Sequence, residues 1–256
     1  MIPSEKIGIA VISYDRPHFL RNSVENLEAK NWGGAHEKLI IVDEPYDKLK
    51  YQWLYELTDA NIIFKENQGV GPTKNLAFEY LLKAKCKNLF TIEDDIIMVD
   101  DVTCVRYADY AHQKNVSHLN FALHGELNKD QGKLLNWNRG AGVNETIYVY
   151  PDCVGAFSFY TSDILTDVGL IDENFKNAWE HVEHTWRISH TGTIPPFWYF
   201  MDFPDNSNCL REMPESLVQS SIRNDLNWKI NVERGKRYWL SKHGVFLPPR
   251  PDWAAM

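Results

Sequence analysis

Cysteine is scarce in this chain. The four present, Cys86, Cys104, Cys153 and Cys209, lie far apart and form no CxxC pair. That spacing argues against a zinc site and against a disulfide framework, and it fits a reducing, cytoplasmic setting. Long apolar runs are also missing. No stretch approaches the ~18 residues that a membrane span needs, and no apolar leader core follows Met1, so a soluble protein is expected. Positive charge is in deficit: 27 Lys and Arg face 35 Asp and Glu, a formal net charge of -8. That balance argues against a broad electrostatic grip on nucleic acid or anionic lipid. It leaves room for a local basic cluster, and Lys229, Arg234, Lys236, Arg237 and Lys242 form one near the C-terminus. Internal repeats and low-complexity tracts are absent.

What is present is a globular composition with 44% hydrophobic residues, ample for a sizeable core in 256 residues. One stretch organises the rest. Asn88-Leu89-Phe90-Thr91-Ile92 is an apolar run of the kind a buried strand shows, and it ends in three consecutive carboxylates, Glu93, Asp94 and Asp95. Adjacent like charges repel, and carboxylates are rarely buried without a partner. Three at the mouth of a strand call for a cation. Mg²⁺ is usually held by one or two carboxylates together with substrate phosphates. The spacing therefore points to a divalent metal, Mn²⁺ or Mg²⁺, that carries a diphosphate; the bland alternative is a solvated acidic turn.

The same pattern recurs along the first half. Ile7 to Ser13 predicts a buried parallel strand, stopped by Tyr14-Asp15-Arg16-Pro17. Pro17 suits a first helical turn, and His18 to Lys30 has helical spacing at Phe19, Leu20, Val24 and Leu27. Lys38 to Val42 predicts a second strand ending in Asp43-Glu44, Tyr46 to Leu57 a helix, and Ala60 to Phe64 a third strand. Asn67 to Asn75 runs as a loop into a helix that continues through Leu82. Strand and helix alternating in this way predict an α/β fold: a doubly wound, mostly parallel sheet. Ligands bind such sheets at the carboxyl ends of the strands. Ser13 to Arg16, Asp43-Glu44, Asn67 to Lys74 and Glu93 to Asp95 all fall there.

The second half is less regular. Val102 to Lys114 predicts a helix and His118 to Leu123 a strand, followed by a polar hairpin or loop over Asn128 to Asn144. Thr146 to Tyr150 and Val154 to Tyr160 read as antiparallel strands of a smaller part, and Thr161 to Val168 as a short helix capped by Thr161 or Ser162. Trp179 to Ile188 is helical and dense in titratable groups, and within it Glu183 and Arg187 have the spacing of an intrahelical ion pair. The domain expected is residues 1–200, with 201–256 as an extension that packs on or closes over the site.

In this order the motifs resemble the nucleotide-sugar glycosyltransferases of the GT-A fold, most of all glycosyltransferase family 2, over about residues 6–192. Ile9 to Pro17 is similar to that family's opening strand and turn, with Asp15 where Asn is usual. Val42-Asp43-Glu44 resembles its Val-Asp-Asp, and Asn67-x-Gly69 through Lys74-Asn75 its Asn-x-Gly…Arg-Asn segment. Glu93-Asp94-Asp95 stands for the metal-binding Asp-x-Asp, and Gly155 through Phe175 for the acceptor-side run. The resemblance implies an inverting transferase that moves a sugar from a nucleoside diphosphate, with a UDP-sugar first, to an acceptor hydroxyl, with a glycan first. Ser13, Tyr14, Asp15, Arg16, Asp43, Asn67, Gly69, Lys74, Glu93 and Asp94 would face the donor. Asp95 and Glu93 would hold the metal, with His243 as a further ligand, and Gly155 and Trp179 would face the acceptor. Glu180-His181-Val182-Glu183 with Arg187 resembles the family's Glu-Asp-x-Asp…Arg helix, which supplies the base. Here His181 replaces the Asp, so either Glu180 or His181 is the base; a neutral pKa suits imidazole to that task.

Rival readings are a transferase acting on a modified base in DNA, a nucleotidyltransferase, and a non-catalytic nucleotide-sugar-binding protein. Nucleotidyltransferases place a Gly-rich loop after the first strand, where this chain has Ser13-Tyr14-Asp15-Arg16-Pro17 without glycine. His181 in the Asp place is the feature that supports a non-catalytic protein.

Overall fold

The computed structural model describes residues 5–129, 131–140, 144–214 and 226–253. In chain order the first half is β1 (Ile7–Ser13), α1 (Pro17–Ala29), β2 (Glu37–Val42), the one-turn helices α2 (Lys48–Tyr51) and α3 (Leu54–Leu57), β3 (Asn61–Phe64), α4 (Val70–Lys83), β4 (Asn88–Glu93) and β5 (Ile96–Met98). The second half is α5 (Thr103–Gln113), β6 (His118–Asn120), β7 (Lys133–Asn138), β8 (Asn144–Tyr150), β9 (Phe157–Thr161), α6 (Ser162–Val168), α7 (Glu180–Ser189), β10 (Phe200–Met201), β11 (Leu210–Glu212) and α8 (Trp228–His243).

Six strands form the main sheet in the order β3-β2-β1-β4-β9-β6. The first four run parallel, and β9 lies antiparallel between β4 and β6. Both faces are covered, which is why the strands read as continuous apolar runs. Along β1, Ile7, Ile9 and Val11 join Leu20, Val24 and Leu27 of α1 on one face, while Ala10 meets Ala77, Phe78 and Leu81 of α4 on the other. Gly8 lets α4 approach closely, because a Cβ there would stand 2.6 Å from Cys86 Sγ and 2.7 Å from Leu81 Cδ2.

Two differences from the sequence expectations stand out. The helix expected over Tyr46 to Leu57 is broken into α2 and α3. Asp47 caps α2 by accepting from Leu49 N at 2.8 Å, and the Trp53 indole N–H then donates to the Lys50 carbonyl at 2.6 Å. That carbonyl is the acceptor a continuing helix would give to residue 54. Next, β8 and β9 are both antiparallel but sit in different sheets: β8 pairs with β7 and β10, whereas β9 joins the main sheet. The hairpin expected over Asn128 to Asn144 is β7–β8, with residues 130 and 141–143 outside the described residues. The chain after residue 200 is tied into the body. β10 pairs with β8, β11 pairs with β5, and Lys242 of α8 binds Glu183 of α7 at 2.6 Å. Residues 215–225, within the expected extension, lie outside the described residues.

The antiparallel insertion of β9 sets up the site. Ile92 pairs with Phe157, and Glu93 N donates to Ala156 O at 2.7 Å. The carboxylate end of β4 therefore abuts the segment entering β9, and Gly155 stands beside Glu93.

Candidate active site

A cavity of about 490 Å³ opens at this junction. Glu93 and Asp95 line one part of it, Glu180 and His181 another, and Trp179, Trp198 and Phe200 a third. The sequence expected Glu93, Asp95, Glu180, His181, Arg16, Gly155 and Trp179 at the site, and all seven line the cavity.

The acidic turn is neutralised from two sides. Arg16, at the start of α1, donates Nη1 to Asp95 Oδ2 at 3.1 Å and pairs through Nη2 with Asp94 Oδ1. Asp94 is 0% exposed and also accepts the Ser13 hydroxyl at 2.5 Å. Burial, helped by Asp95 and Glu93, pushes its carboxyl up to about 7 against the opposing pull of Arg16 and Ser13. Burial and Glu93 likewise raise Asp95. Glu93 behaves in the opposite way: burial would raise it, but Lys74, His124 and Arg16 outweigh burial and hold it at about 2. Lys74, only 2% exposed, donates Nζ to Glu93 Oε1 at 3.0 Å and to the Gly155 carbonyl at 2.8 Å. It is a buried brace beneath the site and does not line the cavity.

Whether these residues suit a divalent cation is decided by the oxygens left over. Among the described residues, Asp95 Oδ1 is buried with no hydrogen-bond partner. Glu93 uses Oε1 on Lys74 and lines the cavity. No group of three or more His, Cys, Asp or Glu among the described residues is arranged to hold a metal alone. Two carboxylates with an unfilled oxygen suit a hard cation that takes its remaining ligands from phosphates and water. His243 is not brought to this group. Its Nε2 lies 3.2 Å from Glu183 Oε1, which Arg187 and Lys242 also bind.

The opposite wall is the first turn of α7. Trp179, at φ 73°, turns the chain sharply into the helix. Glu180 is placed at the helix N-terminus, where the macrodipole favours negative charge. Burial opposes its ionisation, yet His181 and Lys74 prevail and lower its pKa. Its Oε1 lies 3.1 Å from His181 Nδ1. An ionised carboxylate is acceptor-only, so Nδ1 carries the proton and Nε2 is the basic nitrogen. Gly155 is part of this arrangement, because a Cβ on it would stand 2.8 Å from His181 Cγ. The expected Glu183–Arg187 pair is present, with Nε 3.0 Å from Oε2, and His184 is buried on the Gly169 carbonyl.

The other expected donor residues lie at strand ends outside the cavity. Asp43 accepts from Lys65 Nζ at 2.6 Å, and Asn67 accepts the Gly69 N–H at 2.9 Å within its own loop. Gly69 needs its positive φ of 99°, and a Cβ there would meet Asn177 Oδ1 at 2.7 Å. Tyr14 and Asp15 are exposed on the turn after β1, where Lys50 pairs with Asp15 at 3.3 Å. Ser13 and Asp94 are buried behind Arg16. The sequence did not single out His124, Asp152 or Arg250, which line the cavity; Trp198, expected with Trp179 and Trp186 as a core residue of which one could floor the acceptor site, lines it as well. The one local signal was the run Phe197-Trp198-Tyr199-Phe200 after two prolines, unusually aromatic for a loop.

No family model and no curated protein matches the sequence. Solved structures do match in shape. A mannosyltransferase from Pyrobaculum calidifontis, PcManGT, in complex with GDP-Man and Mn²⁺, superposes with a TM-score of 0.60 at 11% identity, over 99% of this chain and 69% of that one. S. aureus TarS superposes with a TM-score of 0.56 at 14% identity, over 94% of this chain and 44% of that one. Its 1-349 fragment in complex with UDP-GlcNAc gives 0.53 at 14% identity, over 98% and 79%. The shared architecture is a mostly parallel sheet covered on both faces with small antiparallel sheets beside it, and the chain therefore has the GT-A fold of the nucleotide-sugar glycosyltransferases.

Proposed function

We propose that this protein is a glycosyltransferase that moves a sugar from a nucleoside diphosphate, UDP first, to an acceptor hydroxyl with inversion at the anomeric carbon. The observation that carries the proposal is the meeting of Glu93 and Asp95 with the Glu180–His181 pair in one cavity. Those two groups are what the two ends of such a reaction require. The structural neighbours bind nucleotide sugars, one of them with Mn²⁺.

Asp95, with Glu93, would hold Mn²⁺ or Mg²⁺. What the bound cation supplies is Lewis-acid stabilisation of the charge that develops on the leaving diphosphate. Lys74 keeps Glu93 ionised and fixed in place, and Arg16 fixes Asp95. Asp43 and Asn67 stand at the carboxyl ends of the strands, where a nucleoside would lie, and Ser13 there holds Asp94. Across the cavity His181 Nε2 takes the proton from the acceptor hydroxyl as the oxygen attacks. Glu180, bonded to Nδ1, holds the tautomer and stabilises the imidazolium that forms. A base on the side of the sugar opposite the leaving diphosphate is the arrangement for a single in-line displacement.

The test is release of nucleoside diphosphate from a panel of UDP- and GDP-sugars with Mn²⁺, by the wild type and by His181→Ala and Glu180→Gln. Donor turnover in the wild type that falls ~10²-fold or more in His181→Ala supports the assignment. Equal turnover in that variant removes His181 from the role of base, and no turnover of any donor by the wild type favours a non-catalytic binding protein.

A further inference from the structure

The cavity has a wall that the donor chemistry does not use. Trp179 and Trp198 both line it, and both have left-handed backbone, with φ of 73° and 83°. Such a conformation is unfavourable for a bulky residue and persists only where the surroundings impose it. Here the C-terminal segment does so. The Trp179 indole N–H donates to the Val232 carbonyl of α8 at 3.1 Å, and the Trp198 indole N–H donates to the Pro248 carbonyl at 2.9 Å. A third local cost falls on the same wall. Gly235 sits in the middle of α8, where glycine weakens a helix. A Cβ on it would stand 2.6 Å from Trp179 Cδ1, so the helix forgoes a side chain to admit the indole. Arg250 lies 4.8 Å from the centroid of Trp198 and reaches Asp152 Oδ1 at 3.3 Å.

Two half-buried indoles, each tied by its N–H, line the opening beside an Arg–Asp pair. An indole offers a flat apolar face, and the charged pair offers donors and acceptors at its edge. A pyranose has the complementary form, with an apolar C–H face and a rim of hydroxyls. A polyanion does not suit the wall. Arg250, the cation of this wall among the described residues, is already paired with Asp152, and Glu180 lies close by.

We propose that this wall is an acceptor subsite for an uncharged pyranose residue, so that the acceptor is a neutral glycan, and that α8 with residues 244–253 builds it. The inference rests on the transferase proposal for the identity of the cavity, but the binding it describes does not need turnover. The probes are chitotriose, cellotriose and mannotriose at millimolar concentration, with a single-stranded DNA oligonucleotide and dextran sulfate as anionic controls. Binding is read by quenching of intrinsic tryptophan fluorescence in the full chain. At least one neutral trisaccharide binds the wild type, and Trp198→Ala and Gly235→Ala each weaken it about tenfold or more. Gly235→Ala removes no aromatic ring and moves Trp179 from behind, so it guards against simple loss of packing. Stabilisation by UDP or GDP with Mn²⁺ is measured on the same samples and stays as in the wild type. Binding of no neutral trisaccharide, binding unaffected by either substitution, or preferential binding of the anionic controls overturns the subsite. Saccharide binding without any nucleotide response overturns the transferase proposal and leaves the subsite standing.

Discussion

Gly155 and His181 are in contact, with the bare Cα of the glycine filling the space against the imidazole ring; a Cβ there would lie 2.8 Å from Cγ and 3.1 Å from Nδ1. Both neighbouring atoms belong to the ring that Glu180 orients. Gly155→Ala therefore pushes the imidazole out of line with Glu180 while leaving the acidic turn intact. Turnover falls ~10²-fold, the scale of a misplacement of about 1 Å. Steady-state kinetics check this, with nucleotide-induced stabilisation as the control that stays unchanged. Wild-type turnover in Gly155→Ala would separate His181 from the chemistry.

Lys74 is a buried cation with two partners, Glu93 and the Gly155 carbonyl. Lys74→Met removes the charge and leaves Glu93, 27% exposed at the cavity wall, without its ion-pair partner. Water at the cavity eases that loss below the cost of a fully buried pair, to about 1–3 kcal/mol. Urea denaturation is expected to show a loss of that size in midpoint stability, and calorimetric Mn²⁺ titration a weaker binding isotherm. A brace of no importance would leave both unchanged.

His118 and His184 are buried and neutral. Burial holds the first down to about 4 and the second down to about 3, the latter helped by Arg187. Both native values lie below the ~6.5 of an unfolded histidine, so acid protonates the unfolded chain first. Their stabilising effect is complete above pH ~6.5 and is lost as the pH falls toward 4 and 3, by about 1.4 kcal/mol per pH unit for each fully buried ring. Buried Asp94 and Asp202, both raised to about 7, gain protons in the fold over the same range and pull the other way, so the histidine contribution is read as a difference: between pH 7.5 and pH 4.5 the double substitution His118→Gln with His184→Gln loses less midpoint stability than the wild type.

Glu183 is 0% exposed and binds Arg187 at 3.0 Å, Lys242 at 2.6 Å and His243 at 3.2 Å. It is the anchor between α7 and α8. Glu183→Ala leaves Arg187 and Lys242 without their shared partner, and the stability loss is about 3 kcal/mol or more. Hydrogen exchange should quicken across residues 228–243 before it quickens in β1 or β4. Uniform exchange would mean that α8 is held by its aromatic contacts alone.

The parallel half of the fold was legible in the sequence because its signals are local. β1, β2 and β4 are buried on both faces, so each reads as an unbroken apolar run that ends in polar residues. Those polar ends mark the site, and the spacing of Glu180-His181 from Trp179 survives intact at the start of α7. What was not legible depends on distant partners. Nothing near Arg16 shows that it clamps Asp94 and Asp95, 78 and 79 residues away. Lys74 was expected at the donor because it stands in the Arg place of the family's Asn-x-Gly…Arg-Asn segment. Its partners Glu93 and Gly155 are contributed by β4 and by the antiparallel approach of β9, a pairing that no short pattern encodes. His243 has the right chemistry for a metal ligand, but the register of α8 directs it to Glu183. Trp198 and Arg250 meet across 52 residues of sequence, a separation over which local periodicity offers no guide.

The central claim is that the acidic turn at the end of β4 holds a metal-bound nucleotide. The most direct measurement is thermal stabilisation by UDP, GDP and their sugars, with and without Mn²⁺, in the wild type and in Asp95→Ala. The account predicts a shift for one nucleotide that requires Mn²⁺ and disappears in Asp95→Ala, while the variant without ligand still unfolds in a single cooperative transition. A nucleotide shift of equal size without metal, or one that survives in Asp95→Ala, would contradict it.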